Sequence, residues 1–102
     1  MLRQADDAAA QKQWSRAENF LERALRVESR NGAVWQRLAD VKLAQDRPHQ
    51  AIQFARKAIT LTNGDIVTAA KSWKVIEDSN LRLNRPIKAE SARQKRVNLS
   101  GG

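Results

Sequence analysis

Three aspartates recur at matched places in this 102-residue chain: Asp6, Asp40 and Asp78. A carboxylate is an acceptor, so a row of them offers binding chemistry: it takes N–H groups of a backbone or a basic side chain. Catalytic chemistry finds less material. His49 is the single histidine, placed in a helix's first turn, where an exposed and inert role is expected. The neighbouring carboxylates Asp6-Asp7 and Glu77-Asp78 do not make acid–base pairs, because consecutive residues of a helix point in different directions. Cysteine is absent, which removes disulfides, zinc–thiolate sites and thiol nucleophiles. There is no glycine-rich phosphate loop, no HExxH and no paired His for a metal. The expectation is a non-enzymatic protein with no cofactor and no metal.

The elements that must position those aspartates follow from a self-match. Displaced by 34, Ala17 to Val27 lies on Ala51 to Leu61, with Arg3/Arg37, Ala5/Ala39, Asp6/Asp40, Ala10/Ala44, Gln11/Gln45, Ala17/Ala51, Phe20/Phe54 and Ala24/Ala58 identical. Displaced by 38, Trp35 meets Trp73, Leu38 meets Ile76, Leu43 meets Leu81, Arg47-Pro48 meets Arg85-Pro86 and Ala51 meets Ala89. The same displacement that aligns Trp35 with Trp73 aligns Asp40 with Asp78. A unit repeated at this length marks a stacked array, which holds partners on an extended surface. The insertion in the third unit amounts to about one helical turn, so its first helix should begin a turn early.

Composition favours helix, with much Ala, Leu, Arg, Gln and Lys, four glycines and two prolines. Each unit reads as two helices: Leu2 to Lys12 and Ser15 to Val27, Ala33 to Gln45 and Pro48 to Leu61, then Ile66 to Leu83 and Pro86 to about Val97. Asn31-Gly32 and Asn63-Gly64 separate the units, and Asp65 is a good N-cap. Pro48 and Pro86 suit a first helical turn, and Trp14 fills that place in the first unit. Short turns within each unit impose antiparallel hairpins. One domain is expected over residues 1–98, in units of about 1–31, 32–64 and 65–98, with a flexible tail at 99–102. Met1 stands where Trp35 stands one unit later, so the first helix lacks its opening turn. The last helix, with Arg96 in the place of Ala58, has little large apolar surface and reads as a polar cap or a loosely packed end.

These residues resemble the tetratricopeptide repeat. The second unit carries W-x-x-L-A from Trp35 to Ala39, then Ala51 and Ala58. The small residues let the two helices of a unit approach closely. Lys42 stands where the family usually has an aromatic, and Asn63 where it has a closing proline. The resemblance implies an all-α solenoid of about six helices wound as a right-handed superhelix, acting as a protein-interaction scaffold. It places Trp35 and Trp73 in packing between helices, where replacement by Ala would cost on the order of 3–5 kcal/mol. It also implies a concave groove lined by the first helix of each unit, which takes a partner's peptide or helix. Carried over, that groove presents Asp6 with Leu2 and Ala9, then Gln36, Asp40 and Leu43, then Lys71, Lys74 and Asp78 with Leu81. In a chaperone-binding subclass an Asn stands at the aspartate position and clamps a C-terminal carboxylate. An anionic row would repel that terminus, so an acceptor for backbone N–H groups or a basic side chain is expected instead. The competing local explanation pairs each aspartate on its own helix, as Arg3–Asp6, Arg37–Asp40 and Lys74–Asp78. The third unit is also similar to short repeat proteins of the bacterial cell envelope.

Charge supplies the alternative. The net charge is +8, distributed as +1 over residues 1–34, +2 over 35–68 and +5 over 69–102. Arg82, Arg85, Lys88, Arg93, Lys95 and Arg96 would form a basic patch able to attract nucleic acid or an acidic membrane surface. No aromatic residues interleave with the basic ones of the last helix to make a stacking platform. Self-association through an exposed terminal repeat is a further expectation. No apolar run approaches membrane-spanning length and no basic-then-apolar leader stands at the start.

Overall fold

The computed structural model describes residues 1–101 and contains six helices: α1 Leu2–Ala10, α2 Trp14–Val27, α3 Gly32–Ala44, α4 Pro48–Thr60, α5 Ile66–Arg82 and α6 Pro86–Gly101. Each helix packs on the next in the chain, and α3 also packs on α5. This is an all-α helical-repeat stack built from three antiparallel pairs, with α1, α3 and α5 as first helices and α2, α4 and α6 as second helices. No helix among the described residues is long and apolar enough to cross a membrane.

The turns inside the pairs show why the pairs are tight. Lys12, Asp46 and Asn84 occupy equivalent places and all have left-handed backbone, with φ of 59°, 59° and 56°. The next amide in each turn bonds back into the helix: Gln13 N to Ala8 O at 2.9 Å, Arg47 N to Lys42 O at 2.8 Å and Arg85 N to Asn80 O at 2.8 Å. This bond closes a helix end and reverses the chain within a very short turn. Between units, Asn31 caps α3 by accepting from the Ala33 amide at 3.0 Å. Asp65 caps α5 by accepting from both the amide and the hydroxyl of Thr68, at 3.1 and 2.6 Å. Those two donors hold its carboxyl below the usual carboxylate range. A methyl group on Gly32 would stand 3.1 Å from the carbonyl oxygens of Ala58 and Leu61, so glycine lets the start of α3 lie against the end of α4.

The expected insertion appears as an added turn at the start of α5, which has 17 residues against 13 in α3. The first helix is short, with 9 residues. The last helix differs from expectation: it runs on through Gly101 rather than ending near Val97. The expected tail at 99–102 therefore lies in α6 up to Gly101, and Gly102 lies outside the described residues.

The core forms two linked clusters. Ala5, Ala8, Ala17, Leu21, Val34, Leu38 and Val41 fill the first, between units one and two. Ala39, Ala51, Ala55, Val75, Ile76 and Ala92 fill the second, between units two and three. Phe54 is half-buried and packs against both. Trp35 and Trp73 are half-buried rather than core residues. Trp35 lies tilted on Phe54 with ring centroids 5.6 Å apart, and its indole N–H donates to Ser29 O at 2.9 Å. Lys42, in the family's aromatic place, is buried. It is neutralised across units by Glu18 at 2.9 Å, with its ammonium 5.9 Å from the centre of the Phe54 ring.

In the third unit the small pair Ala39 and Ala58 is replaced by Glu77 and Arg96. These two meet in an ion pair, Arg96 Nη2 to Glu77 Oε1 at 3.1 Å, with Glu77 buried. Arg96 thus tethers α6 to α5 instead of loosening it.

This packing sets the cost of two kinds of substitution. Trp35→Ala should lower unfolding free energy by about 2 kcal/mol, below the cost for a fully buried ring, as read by urea denaturation. Glu77→Ala and Arg96→Ala should each cost about 2 kcal/mol, because each strands its partner's charge in a half-buried place. The double variant should cost less than the two together, and strict additivity would show that the pair is not coupled.

Candidate functional site

The first helices bring five of the seven groove candidates to one concave surface. Asp6 from α1, Gln36, Arg37 and Asp40 from α3, and Lys71 and Lys74 from α5 line a cavity of about 420 Å³. In the repeat register Asp6 corresponds to Asp40 and Lys74 to Gln36, while Lys71 corresponds to Ala33, so α5 contributes from the turns before its own aspartate, Asp78. Leu43 and Asp78 are not among the cavity's lining residues. Leu43 packs into the second core cluster, and its carbonyl accepts from Arg82 Nη1 at 2.6 Å. Asp78 stands beside the cavity, paired with Lys74 at 3.2 Å.

The row is not anionic, which corrects the sequence expectation. Cations interleave with the aspartates. Arg37 does not pair with Asp40 on its own helix; it reaches back one unit and holds Asp6 at both carboxylate oxygens, 2.7 and 3.2 Å. Asp6 therefore takes Arg37, not Arg3. Lys71 stands as far beyond Asp40 in the chain as Arg37 stands beyond Asp6, and its charge acts on Asp40 without a direct ion pair. Of the three local pairs, Lys74–Asp78 is the one that forms. Arg37 is the site residue that sequence patterning missed. Its one signal was that shared offset, which is a contact across units and invisible to helical spacing.

Asp40 is the exceptional member. Gln36 is buried and donates from its amide nitrogen to the Asp40 carboxylate. Asp40 is exposed, yet it lines this cavity and its surroundings partly strip it of water. That loss of hydration pushes its carboxyl up from the usual 3.8 to about 6, against the Gln36 hydrogen bond and the Lys71 and Arg37 charges, while Asp78 adds to the rise. Asp40 is thus a carboxylate whose negative charge its surroundings do not fully satisfy.

The other candidate groups lie outside the lining of this cavity. The neighbours Glu77 and Asp78 turn to different cations, Arg96 and Lys74. His49 is exposed. Among the described residues no three metal-ligating side chains gather. Of the basic patch, Arg82 pairs with Asp46 at 3.5 Å, Arg93 with Glu90 at 3.1 Å and Arg96 with Glu77. Lys95 lies over the Trp73 ring, 4.8 Å from its centre. Arg85 and Lys88 complete the six as exposed side chains.

A family profile described as Tetratricopeptide repeat matches residues 8–70, more than half of the chain. The chain belongs to the tetratricopeptide repeat family, whose repeats mediate protein–protein interaction. Comparison with curated proteins gives no match.

The raised Asp40 pKa has a stability consequence. Folding favours the protonated carboxyl, so this group's contribution is fully present below about pH 4 and is lost as pH rises toward 6. Asp40→Asn should therefore flatten the stability profile between those values. Carboxyl NMR of the folded protein should give a midpoint near 6; one near 3.8 would show that the concavity does not desolvate it.

Proposed function

We propose that this chain is a non-catalytic scaffold that binds an extended segment of a partner protein along the concave surface of α1, α3 and α5. The observation that carries this is Asp40. Asp6 and Asp78 each have a direct ion pair, whereas Asp40 has one hydrogen bond from Gln36 and no cation within ion-pair distance among the described residues. It stands at the middle unit, where a ligand crossing the stack must pass. A partner's backbone N–H or basic side chain completes its coordination. Lys71 and Lys74, on the neighbouring first helix, donate to the carbonyl oxygens or a carboxylate of the same segment. An extended backbone alternates donors and acceptors in this way, and the alternating charges of the groove match it better than a uniformly acidic or basic ligand.

The test compares the wild type with Asp40→Lys in a pull-down read by quantitative mass spectrometry, with circular dichroism confirming an intact helix content. Any partner retained by the wild type should fall about tenfold or more with the variant, the loss expected for one charge-assisted contact reversed. Undiminished retention would place the partner elsewhere on the molecule.

A further inference from the structure

A larger cavity lies on the opposite side of α5. It has a volume of about 480 Å³, is lined by α4, α5 and α6, and has Trp73, Ile76 and Asn80 as its wall from α5. At about 100° per residue these three project away from Lys71 and Lys74, so this cavity and the concave groove occupy different faces of one helix.

Its origin is a single position. The seventh residue of each second helix is Phe20 in α2, Phe54 in α4 and Ala92 in α6. In the second unit the Phe54 ring packs on Trp35, and Lys57 stands 6.0 Å from the Trp35 ring centre. In the third unit the tryptophan and the lysine persist as Trp73 and Lys95, and the phenylalanine between them is reduced to the buried methyl of Ala92. The slot beside Trp73 is the space that a missing aromatic ring leaves open.

Two further observations say what fills it. Arg56, Lys88 and Lys95 line the cavity and, among the described residues, no carboxylate does, so its rim attracts negative charge. Asn80, where Lys42 stands one unit earlier, is 3% exposed. Its amide nitrogen donates to Ile76 O at 2.9 Å, while its oxygen Oδ1 is buried with no donor among the described residues. That oxygen offers an acceptor to the N–H or O–H of an entering ring.

We infer that this face is a second docking site, which takes an acidic peptide segment of a partner protein carrying a tryptophan or tyrosine side chain. The ring takes the place that Phe54 holds in the preceding unit, against Trp73, Ile76 and Ala92. Flanking carboxylates meet Arg56, Lys88 and Lys95. Offset or edge-to-face ring packing supplies the anchor and the cations supply the selection. The site does not depend on Asp40 or on the concave groove.

The experiment titrates the ¹⁵N-labelled chain with the blocked peptide Asp-Asp-Trp-Asp-Asp, and with two controls in which Ala replaces the Trp or Lys replaces every Asp. The acidic tryptophan peptide should shift the Trp73 indole N–H and the amides around Asn80 and Lys95, and both controls should bind about tenfold more weakly or not at all. Ala92→Phe supplies the absent ring and should abolish those shifts while leaving the melting temperature equal or higher. Lys88→Glu, an exposed change that leaves the fold alone, should weaken binding, and Asp40→Lys should leave it unchanged. The proposal is overturned by no shift at millimolar peptide, by equal binding of the alanine control, by binding that survives Ala92→Phe, or by shifts confined to Asp40 and Lys71. It is also overturned if a thymidine oligonucleotide displaces the peptide from the same residues, which would make the face a nucleic-acid site.

Discussion

The close approach of paired helices at buried alanines is the constraint on which the rest depends. Ala17 and Ala51 have no measurable exposure, and Ala89 has almost none. They occupy one position of each second helix. A larger side chain there would separate the pair, and the next pair would lose its seat in turn. Because apolar burial scales with area removed from water, such small residues stabilise less by their own burial than by letting larger side chains such as Phe54 reach both core clusters. The left-handed turn residues Lys12, Asp46 and Asn84 serve the same end, reversing the chain within a space that a longer loop would exceed.

The third unit keeps this geometry by other means. Ala39 and Ala58 give way to Glu77 and Arg96, so apolar contact is exchanged for an ion pair sheltered from solvent. Such a pair gains little over apolar packing when intact, yet losing one member leaves a charge with poor hydration. The unit also gives up the aromatic of its second helix at Ala92. Scaffold positions have thus been altered in two different directions: one change is compensated within the chain, and the other leaves open space beside Trp73. The contrast between a filled and an unfilled substitution separates structural drift from a surface with room for a partner.

The two faces of α5 illustrate how a repeat divides its work. Lys71 and Lys74 join a row of alternating charge that runs across all three units, with Asp40 in its middle. Trp73, Ile76 and Asn80 face a slot that belongs to the third unit alone. The first surface arises from repetition and the second from its failure.

Much of this was legible in the residues themselves. The repeat register identified the pairs, Asp65, Pro48 and Pro86 marked helix starts, and the longer displacement of the third unit announced the added turn of α5. The resemblance to the repeat family also pointed to Asp6, Gln36, Asp40, Lys71 and Lys74, which line one cavity. What the residues could not disclose was which charges meet. Arg37 and Asp40 lie one turn apart, and helical spacing pairs them; in the folded chain Arg37 reaches across units to Asp6 instead. Arg96 was visible as a departure from Ala58 without showing that it answers Glu77. The sequence determined the scaffold because helix formation and repeat spacing are local properties. The tertiary structure alone decided the state of Asp40, the cation between each pair of aspartates and the slot at Ala92. Those depend on distances between units, set by how closely the alanine-lined helices settle against one another.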